Sequence, residues 1–223
     1  MATSPSAISL VIQEEYFTGA CLALSRTLDF SSPFPPLEWS AAREGKERLY
    51  KEVVASYQEK HPKIYGLEIQ EGLDLCFMEV NQGRLRLMAR SFQNLADSGV
   101  TLSFISSFPW LEMGGQRTVL CLPAVLREKA PPLLLDAIGT AAFGGIKDAC
   151  LFTMSGPHFG DRYGLVTKLF KAFREHEVDL PALNCTVASM TGIVAENQMG
   201  QAIRAIRSHF HVPEIFRKKH QDR

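Results

Sequence analysis

The stretch SGPHFGDRYG, Ser155 to Gly164, gathers the residue types that could do chemistry. His158 and Asp161 stand three apart, a spacing that could make an acid–base pair. Gly156, Gly160 and Gly164 could instead bring backbone close to a phosphate or a zwitterion. The phosphate reading fails, because the loop lacks both a GK[ST] ending and GxGxxG spacing. No serine or cysteine stands in a nucleophile elbow, so His158 and Asp161 are ligand contacts or ordinary turn residues. Metal chemistry has little footing either. His158, His176, His209, His211 and His220 form no HxxxH set, and His209 with His211 is a fragment short of a zinc site. The expectation is a protein with no catalytic residues, no metal and no cofactor.

The whole chain narrows the class further. Its 223 residues are 46% hydrophobic and 22% charged, enough apolar material for a well-buried core. A formal net charge of +0 argues against a surface built for nucleic acid. The closing FRKKHQDR reads as a solvated basic tail. Cys21, Cys76, Cys121, Cys150 and Cys185 are odd in number and scattered, which fits reduced thiols in a cytoplasmic protein. The N-terminus lacks a basic, long-apolar leader, and no run approaches the ~20 apolar residues of a membrane helix.

The elements that must position the glycine-rich stretch recur. LDLCFMEV, Leu73 to Val80, reads as a strand, with Asn81 capping a helix whose inward face is Leu85, Met88, Phe92, Leu95 and Ala96. Gly99 closes that helix. VTLSFISSF and RTVLCLP make a hairpin, and Pro131 and Pro132 open a helix through LLLDAI. The same βαββα order then repeats. ACLFTM is a strand, and Leu165, Val166, Leu169, Phe170 and Phe173 point inward from a helix. VDLPALNCT and MTGIVAE are further strands, and Asn197 caps a helix carrying Ala202, Ile203, Ile206 and Phe210. The first strands of the two units start roughly 75 residues apart.

Upstream, AISLVIQ and GACLALSRTL read as strand then helix, and a charged helix follows from about Ala41 to Lys60. KIYGLEI and LDLCFMEV, separated by QEG, read as a hairpin. The organisation expected is an N-terminal extension or degenerate third unit over 1–63, a first unit over 64–146, a second over 147–213, and a basic tail over 214–223.

In this order and spacing the sequence resembles the ACT domains, most closely the tandem pair at the C-terminus of aspartokinases. YGLVTKLFKAFREHEVDLPALNCT follows the family outline of glycine, helix and second strand. GIVAENQMGQAIRAIRSHF is similar to its final strand and helix. NQGRLRLMARSFQNLADSGVTLSFIS is a looser match, with Leu85-Arg86 replacing the usual Pro-Gly and Tyr163 at the usual proline slot of the second unit. The resemblance covers roughly Ile64 to Val212 and has no counterpart of the kinase domain.

It implies an α+β fold of tandem ferredoxin-like βαββα(β) modules, with an N-terminal α/β extension. It also implies a regulatory role, because paired ACT domains bind free amino acids between the βα loops of neighbouring modules. On that reading the effector contacts fall at Asn81, Gln82, Gly83, Ser106 and Ser107 in the first unit. In the second they fall at His158, Phe159, Gly160, Asp161, Arg162, Tyr163, Gly164, Asn184 and Thr186. A helix N-terminus would meet the carboxylate, and Asp161, Asn184 or backbone carbonyls the ammonium. The implied partners are an amino acid, a second copy of the chain in a homodimer, and a partner enzyme or regulator. The competing readings are an ACT-like interaction scaffold without a ligand, and a transcriptional co-regulator of the tandem ACT type.

Overall fold

The computed structural model describes residues 2–4, 7–9, 12–27, 61–81, 85–110, 115–129, 132, 134, 143–156, 159, 164–186 and 188–219. Residues 10–59 form one compact unit, and residues 1–9 with 60–223 form another. In the smaller unit a 3-10 turn, Glu14–Tyr16, runs into helix α1, Phe17–Thr27. The helix expected over Ala41 to Lys60 lies outside the described residues.

The larger unit begins with the short strands β1, Ala2–Ser4, and β2, Ala7–Ser9. Strand β3, Gly66–Asn81, is followed by helix α2, Leu85–Asp97, and strands β4, Phe104–Trp110, and β5, Gly115–Pro123. Strand β6, Phe143–Ser155, leads to helix α3, Leu165–Glu175, and strands β7, Ala182–Cys185, and β8, Ser189–Ala195. Helix α4, Met199–His209, and strand β9, Ile215–Lys219, complete it. All the strands join one sheet in the order β2-β1-β4-β5-β3-β6-β8-β7, with β9 parallel to β3.

Two long strands make this sheet a pair of interlocked modules. The second half of β3 pairs with β5 through Leu73–Asn81, and the first half of β6 pairs alongside through Met78↔Phe143 to Leu75↔Ile146. With α2 and β4, these strands form a ferredoxin-like module in the order β6-β3-β5-β4. The second half of β6 pairs with β8 from Ala149 to Ser155, and the first half of β3 lies on its other side through Gly66↔Ser155 to Gln70↔Leu151. With α3, β7 and α4, these give the same order again, β3-β6-β8-β7. Each module therefore borrows half a strand from the other.

The hand-over happens at two β-bulges. The register of β3 against β6 slips between Gln70 and Leu73, and slips back between Leu73 and Leu75. Gly72 has φ 79° and Asp148 has φ 53°, the left-handed backbone that an extra residue needs. The hairpin expected at QEG is thus a bulge inside one continuous 16-residue strand. Gly72 absorbs a residue there and does not reverse the chain, because β6 holds the flanking runs along nearly their whole length.

Alternation along the strands gives the sheet two apolar faces. Leu67, Ile69, Cys150, Phe152, Met154 and Val194 pack beneath α3 and α4 with Leu169, Phe173, Ala202 and Ile206. Phe152 and Phe173 meet ring to ring at 5.6 Å. In the other module Cys76, Met78, Val80, Leu120 and Leu122 pack with Leu95, Met88 and Phe92 of α2 and with Leu134. The intervening residues Leu73, Leu75, Val119, Cys121, Leu151 and Ile193 form the second face.

Several local expectations change. Val166 and Phe170, expected inward, are 37% and 51% exposed, because the buried stripe of α3 is Leu165, Leu169, Ala172 and Phe173. Asn197 lies inside a 3-10 turn, Glu196–Gln198, and α4 starts at Met199 without a side-chain cap. Asn81 is the last residue of β3, and α2 begins at Leu85. Part of the expected basic tail is strand β9: Ile215 packs on the core, and Arg217 and Lys218 pair with Glu71 and Glu68. Pro132 and Leu134 are helical, while most of LLLDAI lies outside the described residues.

Candidate functional site

The two candidate ligand positions lie where β3 leads to α2 and where β6 leads to α3. In the second module β6 ends at Ser155, opposite Ser189 at the start of β8, so the β7–β8 turn sits beside the strand end. The Gly156 N–H reaches the Ala188 carbonyl at 3.4 Å. Helix α3 then starts from Gly164, whose φ of 81° suits glycine and which supplies no side-chain cap. The N-terminus of α3 therefore has no side-chain cap from Gly164. In the first module β3 ends at Asn81 opposite Gly115, and Gly115 also faces Trp110 across the β4–β5 hairpin.

Each expected contact has a definite place. Gly164 is the N-cap of α3. Phe159 is buried in the second module's core, under Gly156, where an added Cβ would lie 2.2 Å from its ring. Asn184 is buried on β7 opposite Thr191, whose hydroxyl is 3.2 Å from that of Thr153. Thr186 closes the β7–β8 turn: its Oγ1 accepts the Ser189 N–H at 3.1 Å, and its N–H donates to the Ser189 carbonyl at 2.8 Å.

In the first module Ser107 is buried with its hydroxyl 2.8 Å from that of Thr118, and Ser106 pairs with Val119 and Ala2. Gln82, Gly83, His158, Gly160, Asp161, Arg162 and Tyr163 lie outside the described residues. Ser155, Gly164, Asn184 and Thr186 thus belong to one module, with Ser155 and the Thr186 turn side by side. Asn81, Ser106 and Ser107 belong to the other.

The two groups do not meet in one chain. Because β3 and β6 are antiparallel, Asn81 and Ser155 stand at opposite ends of the shared strands. Across the 16 residues of β3 that is up to about 50 Å at ~3.3 Å per residue.

The module junction holds charged residues that the sequence reading passed over. Arg127 donates through Nε to Asp74 Oδ2 at 2.6 Å, and through Nη2 to Asp74 Oδ1 at 2.7 Å and Asp148 Oδ1 at 2.6 Å. The Asp148 N–H adds a bond to Asp74 Oδ1 at 2.9 Å. Burial alone would raise the Asp74 carboxyl. The bonds from Arg127 and Asp148 and the charges of Arg127 and Lys147 outweigh it and hold the group below the usual range. The same pairing raises Arg127. An aspartate inside the apolar run LDLCFMEV was the available signal, since a carboxylate is seldom buried without a partner.

The five cysteines are free. Burial pushes the Cys76 thiol up to about 11 and Cys150 to about 12, and raises Cys121 and Cys185, so these are poor nucleophiles. Among the described residues no group of three or more His, Cys, Asp or Glu could hold a metal ion. Among them also, no helix is long and apolar enough to cross a membrane.

Two ferredoxin-like modules sharing their central strands, with helices over them, make an ACT-like fold, the fold also seen in a solved aspartate kinase regulatory subunit. No protein-family model and no curated protein matches the chain. Solved structures do. The regulatory subunit of aspartate kinase from Thermus flavus aligns with a TM-score of 0.60 at 16% identity, over 67% of this chain and 99% of that one. The Thermus thermophilus regulatory subunit, in its ligand-free form, gives 0.58 at 16% over 66% and 99%. Aspartate kinase from Synechocystis gives 0.58 at 14%, over 68% of this chain but 27% of that enzyme. At these identities the likeness is one of fold. The two Thermus proteins are regulatory subunits matched over nearly their full length.

Proposed function

We propose that the chain is a non-catalytic regulatory module that binds a small zwitterion, an amino acid, at its βα loops and passes that binding to a partner or to its own assembly. The observation that carries this reading is the end of the second module. There an N-terminus of α3 without a side-chain cap, at Gly164, belongs to the same module as the end of β6, and the Thr186–Ser189 turn lies beside that strand end. First-turn N–H groups at a helix start without a side-chain cap suit a carboxylate. Asp161 and Asn184 are the acceptors assigned to the ammonium.

A ligand held between the βα loops of two modules would take them from two copies, since one chain keeps its own at opposite ends. A homodimer is the simplest assembly that supplies both. Thr186 and Ser107 spend their hydrogen-bonding capacity inside the fold, which favours the scaffold reading as the alternative.

A thermal-shift panel of the twenty amino acids separates the two, because a ligand bound only by the folded state raises Tm by mass action. The proposal expects one amino acid or a small group to raise Tm at millimolar concentration, with the shift lost in Asp161→Ala and Asn184→Ala. A flat panel supports the scaffold and overturns the effector.

A further inference from the structure

The charges of the chain cancel overall, but they do not cancel on the helices of the second module. Helices α3 and α4 bury Leu169 and Phe173, and Ala202 and Ile206, in the core. Their opposite faces are exposed and adjoin. Glu175 of α3 reaches His209 Nε2 of α4 at 3.3 Å, and Gln201 of α4 donates to the His176 carbonyl. On these two faces Lys171, Arg174, Arg204 and Arg207 are exposed, against the carboxylate of Glu175. Lys171 and His209 share that carboxylate. Arg174, Arg204 and Arg207 pair with no carboxylate among the described residues.

Apolar surface lies beside these cations. Val166, Phe170 and Arg174 follow at i, i+4 spacing and form a ridge along α3, and Arg204 and Arg207 adjoin at i, i+3 on α4. The Phe170 side chain stays half-exposed although the buried stripe of the same helix is well filled. Helix α2, the equivalent of α3 in the first module, exposes Arg86, Arg90, Gln93 and Asp97. Among its described side chains no large apolar one is exposed. The aromatic ridge is therefore not a requirement of the fold.

Chemistry narrows the partner. Arginine forks match the paired oxygens of a carboxylate, and aromatic side chains with arginine are enriched where proteins meet. A nucleic-acid backbone would use the cations and leave Phe170 idle. Two part-exposed apolar side chains are too few to seat the helices in a lipid surface.

We propose that the outer face of α3 and α4 docks an acidic segment of a partner protein. Its carboxylates sit on Arg174, Arg204 and Arg207, and an apolar side chain of the segment packs on Val166 and Phe170. The proposal goes beyond the effector reading and does not rest on it.

The test is fluorescence anisotropy of the full chain with a short labelled peptide built of glutamate and leucine. A glutamine–leucine peptide and single-stranded oligothymidylate of similar length are the comparisons, with cosedimentation on phosphatidylserine vesicles. Saturable binding of the glutamate–leucine peptide is expected, each comparison at least about tenfold weaker, and no cosedimentation. Arg204→Glu with Arg207→Glu should weaken peptide binding at least about tenfold, and Phe170→Ala by a similar factor. The same charge change on the first module, Arg86→Glu with Arg90→Glu, should leave it unchanged. All these positions are exposed, so Tm should hold. If the α4 reversal lowers Tm, the neutral Arg204→Gln with Arg207→Gln decides.

The titrations contain no free amino acid, so a flat thermal panel would leave a positive result standing. The inference is overturned by absence of saturable binding up to about 1 mM. It is equally overturned if the glutamine peptide or oligothymidylate binds as tightly, or if the chain cosediments with the vesicles. An α2 reversal as costly as the α4 reversal, or a Phe170→Ala variant that binds like the parent, overturns it too.

Discussion

The two modules share an architecture and differ in what they pack. Around β6 the sheet is covered by two helices, and the layer between is apolar down to the tilted pair Phe152 and Phe173. Around β3, the described cover is α2 with Leu134, and the layer admits polar groups. Ser91 donates to the Leu134 carbonyl at 3.0 Å, Ser107 meets Thr118, and Thr118 reaches the Met88 sulfur at 3.2 Å. The ion-paired Asp74 belongs to this side too. One module is therefore a platform and the other an adaptable body. The two modules share β3 and β6 through main-chain pairing.

Substitution can break this contrast. Phe173→Ala should cost about 3–5 kcal/mol, since the ring is 2% exposed and packs against the Phe152 ring. Leu95→Ala in the other module should cost nearer ~2 kcal/mol, because the partly buried Met88 and Phe92 beside it can move in. Urea unfolding measures both, and equal costs would remove the distinction.

Acid comes next. The folded Asp74 carboxyl sits below its unfolded value, so its contribution is complete above the unfolded carboxylate pKa of about 3.9 and is lost as pH falls through the folded one. Stability should drop in that window for the parent and more gently for Asp74→Asn. Parallel acid profiles would mean that the junction ion pair does not couple to folding.

The smallest effect lies at the helix ends. Both α2 and α3 close in Schellman turns, through Val100 N–H to Leu95 and Val178 N–H to Phe173, each 2.9 Å. The first places Gly99 at φ 70°, while the second places Glu177 at φ 51°. Glu177→Gly should raise stability by up to ~1 kcal/mol, as left-handed backbone is unfavourable for glutamate. A loss of stability would show that the glutamate side chain stabilises the turn.

Much of this was legible locally. The βαββα order, the stripe Met88, Phe92, Leu95 and the closing Gly99 follow from periodicity and backbone preference, which act within a few residues. Strand sharing was not legible. Which half of β3 pairs with which half of β6 is a long-range choice, and Gly72 is as compatible with a turn as with a bulge. The Asp74–Arg127 pair joins residues 53 apart in sequence, beyond any local pattern. At the candidate site, sequence placed the glycine before α3 but could not separate polar side chains aimed at a ligand from those closing a turn, as Thr186 does.

The most direct measurement is a residue-resolved NMR titration of the full chain with whichever amino acids the thermal panel selects. The effector account predicts saturable shifts of the Leu165 to Thr167 amides at the start of α3, with the Thr186–Ser189 turn moving in step. Shifts confined to other surfaces, or none at saturating ligand, would contradict it.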